Sequence, residues 1–348
     1  MDNASLAELL IREAEGAEGH RERAFRRAAH AAFMWPVEAR ELAESGHSLT
    51  ALSGIGPSLE RCLKEWLEKP PPDLKPPPMR SEFRTLAQAR HLLSKNPIWK
   101  QRVQGDLQMH TEWSDGSTTV KEMAKAGLER GYQYIAITDH TKGLTIAGGL
   151  DEKRLNRQGR EIRRLNTGMR KEGTDFTILS SAEMNLSPTG DGDMDPKALA
   201  RLDLVLGCFH SALRRTEDQT ERYVAGLRNP HIQILGHPQT RMYNRREGLR
   251  CDWNKVFAEA ARLNKALEID GDPSRQDLRV SLLKIAVKEG ARISLGTDAH
   301  HPSELAYMEL SLGAACAAKV PPDRIINFMP VSGVTRWVAE VRGAPQAR

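Results

Sequence analysis

Cysteine is scarce in this chain. It has four in 348 residues, Cys62, Cys208, Cys251 and Cys316, and no C-x-x-C pair. That excludes a disulfide framework and a cysteine-based zinc finger, and it makes the reducing cytoplasm the expected compartment. Long apolar runs are also missing. None approaches the roughly 20 residues that span a bilayer, so no membrane partner is expected. The opening "MDNASLAELL" has an acid where a secretory leader has basic residues before an apolar run. Nor does one sign of charge dominate. Lys and Arg number 51 against 46 Asp and Glu, a net charge of +5. The pI near 9.0 is compatible with a polyanionic partner without requiring one. What is present is a soluble globular composition, 39% hydrophobic and 28% charged, long enough for two or three domains.

The clearest division is "KPPPDLKPPP", residues 69–78, with six prolines in ten residues. Such a segment is an extended, semi-rigid spacer that excludes helix. Before it the pattern is helical, as in "HRERAFRRAAHAAF" and "PSLERCLKEWLEK". After it, "SEFRTLAQARHLLSKN" reads as one more helix. From about residue 104, short apolar runs alternate with amphipathic ones, the signature of a parallel sheet with helical crossovers.

Seven strands are expected: "GDLQMH", "YIAITDH", "TILSSAE", "LVLGCFH", "IQILGH", "ALEID" and "ISLGTDAH". Six of the seven end on metal-ligating groups: His110, His140, Glu183, His210, His237, and the pair Asp298 and His300. Asp115 follows the first strand closely. In parallel barrels, functional groups collect at the C-terminal strand ends. A lone histidine there is usually structural. So many imidazoles and carboxylates in one space need a compensating cation, which points to a multinuclear metal centre. The donors are nitrogen and oxygen, suited to zinc, manganese or iron. "GDGDMD", residues 190–195, imitates a calcium loop, but Pro196 stands where that loop needs glycine and Leu202 where it needs glutamate. Asp195 is instead expected to cap a helix that begins at Pro196.

The motifs "GDLQMHTEWSDG", "ITDHTKGL", "SSAEMN", "LGCFHSAL", "LGHPQTRMYNRREG", "ALEIDGDPSRQDL" and "LGTDAHHPSEL" together resemble the PHP (polymerase and histidinol phosphatase) domain. The variant is similar to the one at the C-terminus of bacterial family X DNA polymerases. The resemblance implies an α/β fold, a distorted (βα)7 barrel over residues 104–342 with two to three divalent ions. Carried over by position, Gln108, His110, Glu183 and Asp298 surround a first metal. Glu183 bridges to a second, completed by His210 and His237, and Asp115, His140 and His300 hold a third. Gln108 departs from the histidine usual in the family. A neutral amide oxygen is a weaker donor, expected either to favour a harder ion such as manganese or to leave the first metal loosely held.

Residues 1–68 resemble the small all-α helix-hairpin-helix domain of the same polymerases, joined by a proline-rich linker and connecting helix over 69–103. Gly54, Ile55 and Gly56 in "LSGIGPSLE" would form a turn whose N–H groups face a DNA phosphate without reading sequence. Some relatives carry lysines on the helix after the hairpin for abasic-site chemistry. Here those positions are Ser58 and Cys62, so lyase activity is not expected. Residues 69–103 are also too few for a nucleotidyl-transfer domain, so polymerase activity is not expected, and a separate DNA polymerase or repair factor is an implied partner.

Clustered divalent ions lower the pKa of a bound water and neutralise phosphoryl charge. The expected chemistry is therefore phosphoester hydrolysis by a metal-activated hydroxide, with arginines completing the clamp. Arg214, Arg241 and Lys142 follow ligand-bearing strands and are the expected substrate contacts. The arginines of "RLNRQGREIRRLN" read as a solvated or phosphate-tracking face. Three functions are weighed. One is a DNA 3′-5′ exonuclease or 3′-end phosphatase, which the front domain favours. The others are a small-molecule phosphatase of the histidinol-phosphate kind, and a non-enzymatic DNA-binding module with structural metals.

Overall fold

The structure, a computed structural model, describes residues 1–72 and 74–343; Asp73, inside the proline-rich stretch, lies outside them. Helices α1 (Asn3–Glu15), α2 (Gly19–Ala32), α3 (Ala39–Glu44) and α4 (Pro57–Glu68) come first. Asp2 starts α1 by accepting the Ser5 N–H at 2.9 Å, and Pro57 opens α4 at a position where a missing N–H costs nothing. Leu6, Leu10, Phe25, Trp35 and Leu63 form a separate core cluster under these helices. Trp35 satisfies its one donor on the Ser53 carbonyl at 3.0 Å. After the prolines come α5 (Leu86–Ser94), which starts with a Thr85–Gln88 capping box, and α6 (Ile98–Arg102).

The remainder alternates strand and helix. It runs β1 (Gly105–Asp106), α7 (Val120–Glu129), β2 (Tyr134–Ile137), α8 (Glu152–Lys171), β3 (Thr177–Ser180), β4 (Glu183–Asn185), α9 (Pro196–Leu199), β5 (Leu206–Cys208) and α10 (Thr220–Arg228). It continues through β6 (Ile234–Leu235), α11 (Trp253–Arg262), β7 (Ala266–Asp270), α12 (Val280–Lys288), β8 (Arg292–Gly296), α13 (Met308–Ala317) and α14 (Val331–Val341). Every strand pair is parallel, in the orders β1-β2-β3 and β4-β5-β6-β7-β8. The crossover helices cover the strands, which explains their unbroken apolar runs; β7 is buried at all of its positions.

One expected strand, "TILSSAE", is divided. Its first half pairs with β2 and its second with β5, while a His140–Glu183 bridge keeps the β2 register going. A Met109–Ala299 bridge and the His110 N–H to Ala299 carbonyl bond (2.8 Å) tie the first strand to the last. The ladders are shorter than the sequence patterns because the strand ends leave the sheet to deliver donor side chains. The acids of the calcium-like stretch are all occupied. Asp195 caps α9 through the Lys197 N–H at 2.7 Å, Asp193 accepts the Thr141 hydroxyl at 2.7 Å, and Asp191 accepts the Thr189 hydroxyl at 2.7 Å.

The helical segment grips two loops of the α/β portion. Tyr243, from the loop after β6, lies among His30, Phe33 and Phe83 with ring centroids 5.6, 4.8 and 5.1 Å away. Arg80 donates to both Glu8 oxygens and to Asn244 Oδ1, each at 2.9 Å. Gln276, from the loop after β7, exchanges two hydrogen bonds with the Arg84 backbone.

Candidate metal centre

The first strand ends by delivering Gln108 and His110 into the interior, both fully buried. The following turn is pinned from below by Asp139. It accepts the Thr111 N–H at 2.8 Å, the Thr111 hydroxyl at 2.6 Å, and groups from Ser114 and Gln158. Gly116 closes the turn against the strand it left, since a Cβ there would lie 2.5 Å from the His110 carbonyl. The close approach swings Asp115 back over His110, with Oδ1 3.8 Å from Nδ1.

Glu183 is the hub. Its Oε1 lies 2.8 Å from His210 Nε2 and 3.0 Å from His237 Nε2. Its Oε2 lies 3.2 Å from His110 Nε2, 3.7 Å from His140 Nδ1 and 3.0 Å from Gln108 Nε2. Asp298 Oδ1 meets the same His110 nitrogen at 3.0 Å. Asp115 gathers the outer side, 3.5 Å from His140 and 3.4 Å from His300. The His110 ring is stacked between those of His140 and His300, at 4.4 and 4.5 Å. Two of the donors, Asp298 (φ 53°) and His237 (φ 26°), have left-handed backbones, a conformation costing about 1–3 kcal/mol that persists only where the surroundings impose it.

The charges are mutually dependent. Burial alone would raise the Glu183 carboxyl, but His140, His110, His210 and His237 outweigh it and hold it well below the usual range. Asp298 and Asp115 are likewise held low against burial, by His110 and Arg275 and by His140 and His300 respectively. His110 is driven well above its ordinary value, burial being overcome by Asp298 and Glu183. His210 goes the other way, lowered by burial.

These donors fit metal ions. Four groups have ligand atoms within 4.8 Å of one another: His110, Asp115, His140 and His300; His140, Glu183 and His210; Glu183, Cys208 and His237; and His110, Glu183 and Asp298. Yet both His110 nitrogens, His140 Nδ1, His210 Nε2, His237 Nδ1 and Gln108 Oε1 are buried without a hydrogen-bond partner. His237 Nε2 and Gln108 Nε2 do bond Glu183, each at 3.0 Å, but buried nitrogens left unpartnered beside carboxylates are the donor set that metal coordination would use. Gln108 presents its amide nitrogen to Glu183; turning the amide over exchanges it for the unpartnered oxygen.

Several residues at the centre escaped the sequence reading. Arg275 sends Nε to within 3.3 Å of Asp298 Oδ2 and 3.7 Å of Asp270 Oδ2. Asp270 ends a strand pattern, "ALEID", as plainly as the other donors do, and that was the available signal. Asn185 Oδ1 holds His210 Nδ1 at 3.1 Å, and Glu268 accepts the His237 N–H at 2.8 Å. Cys208 is a fully buried thiol beside Glu183, raised well above its ordinary value by burial and by the Glu183 and Glu268 charges.

Among the expected substrate contacts, Arg241 requires correction. It is buried against the helical segment, its guanidinium 3.7 Å from the Phe83 ring centroid and donating to the Ser81 carbonyl at 2.7 Å. Its charge is spent in that packing against Phe83 and Ser81. Lys142 is paired with Glu152 at 2.6 Å at the surface, while Arg214 is exposed beyond His210. The hairpin turn has Gly54 at φ 80° and Gly56 as the N-cap of α4. Ile55 departs from the expectation: its side chain is in the core and its N–H is spent on the Leu52 carbonyl at 3.2 Å.

The protein named DNA polymerase/3′-5′ exonuclease PolX of Bacillus subtilis is 36% identical over 238 residues, 68% of this chain. This chain spans only 41% of that relative's length. A probable phosphatase of Caldicellulosiruptor bescii is 26% identical over 217 residues, covering 60% of this chain and 84% of the relative. Among solved structures, the histidinol phosphate phosphatase of Lactococcus lactis, complexed with zinc, L-histidinol and phosphate, matches 62% of this chain and 93% of its own, at 16% identity and a TM-score of 0.43. No helix among the described residues is long and apolar enough to cross a membrane. Residues 106–271 match the PHP domain family.

Proposed function

We propose that the chain is a metal-dependent phosphoesterase acting on DNA, as a 3′-5′ exonuclease or 3′-end phosphatase and not as a polymerase. The observation that carries the reading is the sharing of Glu183 among three of the four donor groups. A single buried carboxylate facing four imidazoles at this spacing suits two to three divalent ions, manganese or zinc, with iron as a further candidate. On this reading the strands close as a distorted (βα)7 barrel with the ions at its C-terminal rim.

Gln108, His110, Glu183 and Asp298 would hold one ion, Glu183, His210 and His237 a second, and Asp115, His140 and His300 a third. Bound ions supply an acidified water and neutralise phosphoryl oxygens. The chain's own residues do the rest. Asn185 and Glu268 fix the orientation of His210 and the position of His237. Arg275 holds Asp298 in place. Asp139 keeps Asp115 at the mouth by fixing the turn before it.

DNA is favoured by the helical segment, which carries a glycine turn at the start of α4 and is locked to the loop that follows His237. The PolX relative shares this substrate class in its name. A second reading, a small-molecule phosphomonoesterase, is favoured by the probable phosphatase of C. bescii, which aligns over most of its own length.

The deciding experiment supplies manganese and presents a 3′-labelled oligonucleotide and a small phosphomonoester in parallel, with Asp298→Ala as control. Stepwise shortening of the DNA, lost in the variant, is the expected result. Turnover of the monoester alone moves the protein to the second reading. Silence on both removes the enzyme reading and leaves a DNA-binding module.

A further inference from the structure

The two loops of the α/β portion that touch the helical segment are also the loops that flank the donor cluster. The hairpin turn rests on α2, where a Cβ on Gly54 would lie 3.3 Å from Ala31 Cβ and 4.0 Å from the Arg27 carbonyl. His30, on the same helix, meets Tyr243 at 5.6 Å. Tyr243 donates its N–H to the Ser274 carbonyl at 2.7 Å, and Ser274 precedes Arg275, which reaches Asp298 at 3.3 Å. Between them residues 242–246 fold back as a small hairpin. A Met242–Arg246 bridge closes it, Asn244 (φ 53°) turns it, and Arg245 stands exposed at its tip.

We infer that Arg27, Arg245, Arg246, Arg214 and Arg275 form one basic track that leads the phosphate backbone of a single-stranded polynucleotide end from the α2 face to the Glu183 centre. This rests on the phosphoesterase reading and deepens it by specifying how a polymeric substrate is held. Arg27, Arg245 and Arg214 are exposed and have no ion-pair partner among the described residues, unlike Arg26, which pairs with Glu22, and Arg215, which pairs with Glu217. Arg246, on the same small hairpin as Arg245, has its pKa lowered first by burial and then by the neighbouring Arg275, Arg214 and Arg245 charges, against the opposing charge of Asp277. The nearby Asp272 accepts the Ser274 N–H at 2.7 Å and offsets part of the charge at the Arg275 end, leaving the outer cations as the main attraction. Arg275, at the inner end, is shared with Asp298 and Asp270, whereas the outer cations Arg27, Arg245 and Arg214, close together without carboxylate partners, are stabilised by a polyanion. His110 and Glu183 are buried, so a duplex is excluded from the centre and only a strand end can enter.

The test is fluorescence anisotropy with a labelled single-stranded oligonucleotide in the presence of EDTA, so that no hydrolysis intervenes. Wild type is compared with the double variant Arg27→Gln/Arg245→Gln over a salt series, with thermal melts confirming that both are folded. We expect about tenfold weaker binding at low salt and a log–log salt slope reduced by about 1.4, two contacts at roughly 0.7 each. A second double variant, Lys284→Gln/Lys288→Gln on the exposed face of α12, should keep the wild-type slope. Unchanged binding in the first variant, or equal loss in the second, overturns the track. Hydrolysis of DNA with an unaltered slope also overturns the track while sparing the phosphoesterase. A reduced slope without turnover supports the track and sinks the phosphoesterase.

Discussion

The guanidinium of Arg241 lies 3.7 Å from the ring centroid of Phe83, and both side chains are buried. One residue follows the His237 strand end and the other follows the proline-rich stretch, so the contact joins the candidate centre to the helical segment. A desolvated cation–π pair contributes about 2 kcal/mol. In a double-mutant cycle with Arg241→Ala and Phe83→Ala, urea unfolding should give a coupling energy of about 1–2 kcal/mol. A coupling near zero would mean that the two residues only share a surface.

Tyr243 lies about seven-tenths of the way along the chain but packs in the core of the first four helices. Truncating a buried aromatic costs about 3–5 kcal/mol. Tyr243→Ala should therefore lower the urea midpoint of the helical segment along with that of the rest. If tryptophan fluorescence from Trp35 unfolds at its wild-type midpoint, the helical segment does not depend on this loop.

Glu183→Gln should be the most damaging substitution at the centre. It keeps the volume but removes the charge that the His110, His140, His210 and His237 imidazoles surround. Bound metal per chain, measured by elemental analysis, should fall. Turnover should drop by about 100-fold or more. Wild-type metal content in the variant would move the bridging role elsewhere.

Chelation should act on stability as well as on activity. Ions that bind only the folded state stabilise it by mass action, about 1.4 kcal/mol for each tenfold rise in free ion above Kd. Tm should thus climb with manganese or zinc and fall back in EDTA. Glu183→Gln should flatten that dependence. A Tm indifferent to both ions would count against a metal centre.

Lys265 gives a pH signature away from the centre. Buried beside the strand, it donates to the Leu227 and Asn229 carbonyls, each at 2.6 Å, and burial lowers its pKa to about 8. In the unfolded chain the ordinary value is about 10.4. Between those values the unfolded state binds more protons, so stability contributed by this site rises from about pH 8 to about pH 10.4. The full rise is roughly 3 kcal/mol at about 1.4 kcal/mol per unit. Comparing urea unfolding of wild type and Lys265→Met across that range isolates it. Parallel curves would show that the buried amine titrates normally.

The donors were legible in the sequence because each is a local event: an apolar strand that ends on His110, His140, Glu183, His210, His237 or Asp298. Helix starts were local too, as at Asp195 and Pro196, where a side chain meets an amide two residues on. Tertiary structure alone decided which nearby charges serve the centre. Arg241 and Arg275 both follow strand ends in loops rich in polar residues, and no spacing distinguishes them. One is drawn under Phe83 and Ser81, 160 residues earlier, and the other is left facing Asp298. Likewise, the Ile55 N–H looked free until the turn closed on Leu52. A strand's end is written in its own residues, whereas the partner of a long, flexible cation is set by which distant surface packs over it and removes its water.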